Sequence, residues 1–213
     1  MRLNGTARRD PESPVDLEQD RIEVDGKLLR IAEKLYLMMN KPRGVVTTAS
    51  DEKGRQTVYD LLPGQDSWVG PVGRLDKASE GLLLLTNDTE WAARVLAPER
   101  HLDKIYHVQI GIVADEGLLQ AVIKGFRTKA GDLLRVKSAR ILRSGERNCW
   151  LEIILDEGKN RQIRRVFEEL EVEVLRLVRV SIGPLALGQL AKGSVRALTA
   201  DEKAELDDAM GLG

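Results

Sequence analysis

Leu82-Leu83-Leu84-Leu85 is an unbroken apolar run with Gly81 before it and Thr86-Asn87-Asp88 after it. A short apolar run between turn residues predicts a buried strand. Other stretches repeat with period two. From Ile105 to Ile112, Tyr106, Val108, Ile110 and Ile112 share one face and His107 and Gln109 the other. Leu35–Asn40, Val45–Thr48, Leu133–Leu142, Cys149–Leu155 and Val174–Ile182 also read as strands, the second from its β-branched composition. Helical spacing appears after Asn87, which can cap a turn with Glu90 three residues on and Trp91, Val95 and Leu96 as its apolar face. A helix capped by Asp115 ends at Gly125. Gln162 to Leu170 places Ile163, Val166, Phe167 and Leu170 on one stripe. Thr57 with Asp60, and Thr199 with Glu202, have the spacing of helix caps.

Residues 1–34 form a separate small unit in this reading. Asn4-Gly5 and Asp25-Gly26 are hairpin turns, and Arg21–Val24 alternates as a strand. The unit has too few apolar residues for a core of its own and needs support from the remaining chain, or is mobile. Strands and helices are interleaved and most connections are short. The fold class is therefore α+β, with a mixed, mostly antiparallel sheet.

Composition narrows the picture only modestly. The chain has 213 residues, 42% of them hydrophobic and 31% charged, as in an ordinary globular protein. No apolar run is long enough to cross a bilayer, and no secretory leader is seen at the start. One cysteine and two separated histidines make neither an internal disulfide nor a zinc cluster, and the cytoplasm is the expected address. No nucleotide-binding glycine motif occurs. The net charge of −1 does not announce a nucleic-acid binder, but the charge is segregated. Lys159-Asn160-Arg161-Gln162-Ile163-Arg164-Arg165 carries four cations and no acid, with Arg176 and Arg179 beyond it. Such a patch is either a phosphate-contacting surface or a solvated helix face.

Three polar elements carry candidate chemistry. Asp76 lies in a polar turn just before the leucine run, where it either caps the turn or is a carboxylate held for reaction. Lys104-Ile105-Tyr106 opens a strand, with Tyr106 on an otherwise apolar face, a placement that taken alone is more often that of a core residue than of a catalytic one. Gly158 to Arg165 puts cations at a helix N-terminus, which favours an anion, either RNA phosphate or the Asp76 carboxylate.

Taken together these segments resemble the pseudouridine synthases of the ribosomal small-subunit type, a group that includes several large-subunit enzymes. The resemblance runs from about Leu35 to Leu198. It is carried by Asn40-Lys41-Pro42-Arg43-Gly44, Gly73-Arg74-Leu75-Asp76 through Gly81-Leu82 and Thr86-Asn87-Asp88, Lys104-Ile105-Tyr106, and Glu157 to Arg165. It implies two α+β halves sharing one sheet, with flanking helices and a cleft across the middle. It also implies conversion of a ribosomal RNA uridine to pseudouridine, without metal or cofactor, by a monomer. By the same resemblance Asp76 is the catalytic carboxylate, Arg164 the arginine that pairs with it, and Tyr106 the ring that packs on the target base. Arg74 helps hold the flipped-out nucleotide, and Ile163 forms an apolar wall. Lys41, Lys159, Arg161, Arg165, Arg176 and Arg179 are candidate phosphate contacts by charge alone, and Lys104 is read as supporting Tyr106. The large ribosomal subunit is the favoured source of the substrate. The alternative is a non-catalytic RNA-binding or assembly factor on the same fold.

The segments Leu3-Asn4-Gly5, Val15-Asp16 and Asp20 to Gly26 resemble the second half of an S4 RNA-binding domain. The two leading helices of that module have no counterpart here, so it is expected to be truncated or vestigial.

Overall fold

In the computed structural model, which describes residues 1–10, 12–16, 20–29, 33–62, 64, 68–128, 131 and 133–212, the chain divides into two compact units, Met1–Lys34 and Leu35–Gly213. The first is a small antiparallel sheet in the order β2-β1-β3-β4, formed by β1 (Arg2–Leu3), β2 (Thr6–Ala7), β3 (Ile22–Val24) and β4 (Lys27–Leu29). Both expected hairpins are present. Asn4-Gly5 and Asp25-Gly26 all have positive φ, the backbone that a two-residue turn between twisted strands requires. Leu3 faces Ile22 across the β1–β3 pair, and both are buried. The Asn4 side chain ties the unit further: it donates to Asp20 at 2.7 Å and accepts from the Arg21 amide at 2.8 Å.

The second unit is built from β5 (Tyr36–Lys41), β6 (Gly70–Val72), β7 (Glu80–Thr86), α1 (Thr89–Leu96), β8 (Lys104–Ile110), α2 (Glu116–Lys124), β9 (Phe126–Arg127), β10 (Leu133–Leu134), β11 (Ser138–Ser144), β12 (Cys149–Leu155), α3 (Gln162–Glu169), β13 (Val174–Ile182), β14 (Leu185–Ala186), β15 (Val195–Ala197) and α4 (Ala200–Ala209). Among the described residues the large sheet runs β11-β12-β8-β13-β7-β5-β15, with β14 on β13 and β6 on β7. Every pairing in it is antiparallel except β7 with β13.

That one parallel join shapes the molecule. β7 meets β13 only through Glu80 and Gly81; from Leu84 onward its neighbour on that side is β6. The strands diverge there, and the connection from β6 back to β7, residues 73–79, sits at the join. Gly81 is what allows so close an approach. Its φ is +103°, and a Cβ on it would lie 2.2 Å from the Arg179 carbonyl oxygen.

Leu82 and Leu84 face α1 and α4, together with Met38, Trp91 and Leu206, while Leu83 and Leu85 face the opposite side with Leu37, Met39 and Leu75. The run is thus buried on both faces, as its composition implied. α2 and α3 cover the far half of the sheet, with Phe167 of α3 packed over Val108 and Leu151.

Four local expectations need correction. Val45–Thr48 makes only an isolated bridge, Val46 to Thr57, because its neighbours bind the 73–79 loop rather than a strand. The Gly44 amide donates to the Lys77 carbonyl and the Thr47 hydroxyl to that of Leu75, at 2.8 and 2.9 Å. The first helix is capped by Asp88, which accepts from the Trp91 amide; Asn87 instead accepts from the Leu35 amide. Leu133–Leu142 is divided between β10 and β11. Ile112 lies beyond β8 and is exposed.

Candidate active site

The turn carrying Asp76 is fastened through its carbonyl groups. The Ser79 amide donates to the Asp76 carbonyl at 2.9 Å and closes the turn. The next three carbonyls each accept from outside it: Lys77 from the Gly44 amide at 2.8 Å, Ala78 from the Arg164 guanidinium at 3.0 Å, and Ser79 from the Lys41 ammonium at 2.8 Å. Leu75, buried in the core beneath, anchors the near side. The Asp76 carboxylate is left free of these ties, and its side chain is 34% exposed.

The opening it meets is a cleft of about 590 Å³. Asp76 and Arg74 line one side; Tyr106, Lys104 and Arg179 come from β8 and β13; Lys159 and Arg161 come from the loop leading into α3, and Ile163 from its first turn. Tyr106 lies opposite Arg179 in the β8–β13 register and packs against two of the three cores. The cleft therefore offers a carboxylate, an aromatic ring, an apolar wall of Leu155, Ile163 and Leu177, and several N–H donors. A second recess of about 460 Å³ lies beyond the Asp76 turn, so that Arg74, Leu75 and Asp76 form a ridge between the two.

The loop before α3 is shaped by Gln162. Its buried side-chain amide donates to Glu157 at 2.6 Å and to the Arg135 carbonyl at 2.7 Å, and its oxygen accepts from the Lys159 amide at 3.1 Å. Arg161, the residue capping α3, has a left-handed backbone with φ +49°, uncommon for a residue with a side chain. Its guanidinium stands 3.8 Å from the Asp76 carboxylate and 2.9 Å from Glu168.

This geometry redistributes the expected roles. Arg164 was expected to pair with Asp76; here it makes no ion pair with that carboxylate within 4 Å. It donates instead to the carbonyls of Ala78 and Val174, and its charge reaches Asp76 through space. Burial, then the charge of Arg161, pulls its affinity for a proton down, and Asp76 opposes that shift. Lys41 is fully enclosed, 0% exposed, which removes it as a phosphate contact. Burial brings its ammonium down to about 8 despite the nearby charges of Asp76 and Glu80.

Arg176 is committed to Glu80, with bonds of 3.1 and 3.2 Å, and lies over the Trp150 ring. Lys159 is tied to Glu157 and to the Leu133 carbonyl, both at 2.9 Å. Arg165 lies on α3 and is not among the cleft-lining residues. Arg179 is buried rather than at the surface, 6% exposed, and does line the cleft.

Glu80 is the most consequential residue the sequence reading passed over. It is buried at the start of β7 and accepts from Arg176 and Lys192. Burial alone would raise its carboxyl, but the hydrogen bonds from those two cations outweigh it and hold the group below the usual carboxylate range. The one available signal was a lone acid next to the leucine run. Among the described residues no cluster of His, Cys, Asp or Glu could hold a metal ion, and no helix is long and apolar enough to cross a membrane.

A family model described as RNA pseudouridylate synthase matches residues 35–169. An uncharacterized RNA pseudouridine synthase of Aquifex aeolicus is 36% identical over 213 residues, covering 100% of this chain and 85% of the relative. Ribosomal large subunit pseudouridine synthase B of Bacillus subtilis is 36% identical over 184 residues, covering 86% of this chain and 75% of its own length. A crystal structure of a pseudouridylate synthase superposes with a TM-score of 0.70 at 28% identity, over 96% of this chain and 87% of that one. An archaeal box H/ACA complex of Nop10 and Cbf5 has the same fold at a TM-score of 0.51 and 18% identity, covering 73% of this chain and 50% of that one. With a catalytic-domain match of this extent and relatives alike along the whole chain, the protein belongs to the RNA pseudouridine synthases, isomerases that act on RNA, in the branch that includes large-subunit synthase B.

Proposed function

We propose that this enzyme isomerises one uridine of large-subunit ribosomal RNA, with Asp76 as its catalytic carboxylate. The observation that carries the reading is the convergence of Asp76, Tyr106 and Ile163 on one cleft, beneath a turn whose carbonyls are already satisfied. The likeness to the large-subunit synthase of Bacillus subtilis supports the choice of RNA. A base stacked in a helix cannot present its glycosidic bond, so the nucleotide must be flipped into the cleft. There Tyr106 supplies the surface for the base, and Arg74, exposed on the ridge, holds the flanking backbone. Asp76 acts on the ribose, either as nucleophile at C1′ or as base at C2′. Arg164 and Lys41 aim it indirectly, by gripping the turn. The enzyme works in this reading as a cytoplasmic monomer, with residues 1–34 as a partial S4-like appendage.

The test is to map pseudouridines in ribosomal RNA from cells with and without the gene. One large-subunit site should disappear, return with the wild-type gene, and stay absent with Asp76→Ala. Unchanged maps would overturn the substrate, and restoration by Asp76→Ala would overturn the role of the carboxylate.

A further inference from the structure

We propose that Arg179, with Lys104 beside it, stabilises the negative charge that develops on the uracil ring as its bond to the ribose breaks. The inference rests on the proposed uridine site and adds to it a group acting on the base rather than on the sugar.

Arg179 is held in place on three sides. Its Nε donates to the Leu82 carbonyl at 2.7 Å. Its own backbone is pressed against Gly81, with no room for a methyl group between them. Its strand neighbour is Tyr106. Yet its Nη2 is buried with no hydrogen-bond partner, although the side chain lines the cleft. A buried N–H left without an acceptor is costly, and such a group in a native site asks for an explanation. Lys104 lines the same wall and is half-buried. Burial, and then the positive charge of Arg179, makes its ammonium give up a proton more readily than usual, although the nearby charges of Asp103 and Asp156 work the other way. An anion that enters the cleft at this wall meets both positive groups.

The position selects which anion. Tyr106, the proposed platform for the base, is directly opposite Arg179, and the apolar Leu155, Ile163 and Leu177 line the same cleft, as do Asp156 and Glu157. The edge of the base would meet Arg179 there, while the backbone phosphates stay at the exposed rim. When the C1′–N1 bond breaks, its electron pair remains on N1 and the ring becomes an anion shared with O2 and O4. C5 then bonds to C1′ and loses its proton, and N1 gains one. Nothing is oxidised or reduced. The balance is the same whether C1′ is held as an ester of Asp76 or C2′ gives Asp76 its proton. A fixed donor aimed at charge that exists only during reaction accelerates the reaction without tightening ground-state binding.

The experiment compares wild type, Arg179→Gln and Lys104→Gln on an RNA fragment containing the mapped uridine, and on the same fragment with 5-fluorouridine at that position. Fluorine withdraws electrons, so its ring anion forms with less help. It also blocks the final proton loss at C5, so the reading is single-turnover consumption of the target nucleoside. Arg179→Gln should slow uridine turnover by about 100-fold, the typical effect of losing one such donor, with RNA affinity unchanged. The loss should be clearly smaller on 5-fluorouridine, and Lys104→Gln should show the same pattern more weakly. Equal losses on the two RNAs, or a loss confined to affinity, would overturn the proposal. Should Arg179→Gln not fold, the ratio measured on Lys104→Gln decides by the same criterion. A wild type that turns over neither RNA would instead overturn the uridine assignment beneath it.

Discussion

The cations of this protein occupy two kinds of place. Of those on the strands around the cleft, Lys41 and Arg179 are drawn into the structure, one enclosed and one packed under a neighbouring strand, while Arg176 stays partly accessible but is paired with a buried acid. Those on connections and at the start of α3, Arg74, Lys159 and Arg161, keep access to solvent at the rim of the cleft. In sequence the two groups read alike, as positive charge suited to phosphate. The difference shows that in a sheet-built cleft the floor's cations arrange the protein itself, and the proposed RNA contacts fall to the rim's. Lys41 and Arg179 face a covered sheet and have little access to water, so their charge finds carbonyls within the fold.

The largest expected effect tests the floor as a rigid piece. Gly81→Ala should cost about 3 kcal/mol or more, since a methyl group would collide with the Arg179 backbone at a φ that other residues avoid. Chemical denaturation measures it, and a loss below about 1 kcal/mol would mean that the β7–β13 join is soft.

Next is the contrast between two arginines near Asp76. Arg164→Ala removes the grip on the Ala78 carbonyl and should lower turnover about 100-fold through misplacement of the carboxylate. Arg161→Ala removes a half-exposed ion pair at 3.8 Å and should cost less than about fivefold. Turnover measured at saturating RNA separates them, and the reverse ranking would make Arg161 the partner that matters.

Lys41 sharpens the same comparison through pH. Its ammonium titrates near 8 in the folded chain, against 10.5 unperturbed. Below about 8 both states hold the proton, and burying that charge costs stability in full. Between about 8 and 10.5 the unfolded chain binds more protons than the folded one, so stability should rise with pH. Lys41→Met lacks this rise. The wild type should gain between about 1 and 3 kcal/mol on the variant across that window, read from denaturation at fixed temperature. A constant difference would mean that Lys41 stays exposed to water.

What the sequence disclosed follows from how local each cause is. The two hairpin turns, the capping box at Thr199 and Glu202, and the stripe of α3 are decided within a few residues, and each is present. The buried leucine strand was legible because four leucines in line leave no polar face. Val45–Thr48 has strand composition, but Val46 bonds to Gln56 and Val58 while the Thr47 hydroxyl reaches Leu75, and composition does not carry that information. The cleft was legible as a set of motifs. Which cations face it was not, because whether Arg176 meets Glu80 or solvent depends on the single parallel join in an otherwise antiparallel sheet.

The smallest effect asks whether rim and floor differ in what they do for RNA. Arg74 is exposed on the ridge beside Asp76, with Lys53, Arg55 and Lys77 along the recess behind it. Arg74→Ala should weaken RNA binding and reduce the slope of log affinity against log salt by about 1, as expected for one lost phosphate contact. Arg176→Ala removes an equal formal charge, yet that guanidinium is held by Glu80 and stacked on Trp150. Its loss should leave the salt slope unchanged and lower Tm instead, because Glu80 keeps only Lys192 as a partner in a buried setting. Equal slopes for wild type and Arg74→Ala, or a changed slope for Arg176→Ala, would show that charge alone, and not its place in the sheet, decides which arginines touch RNA.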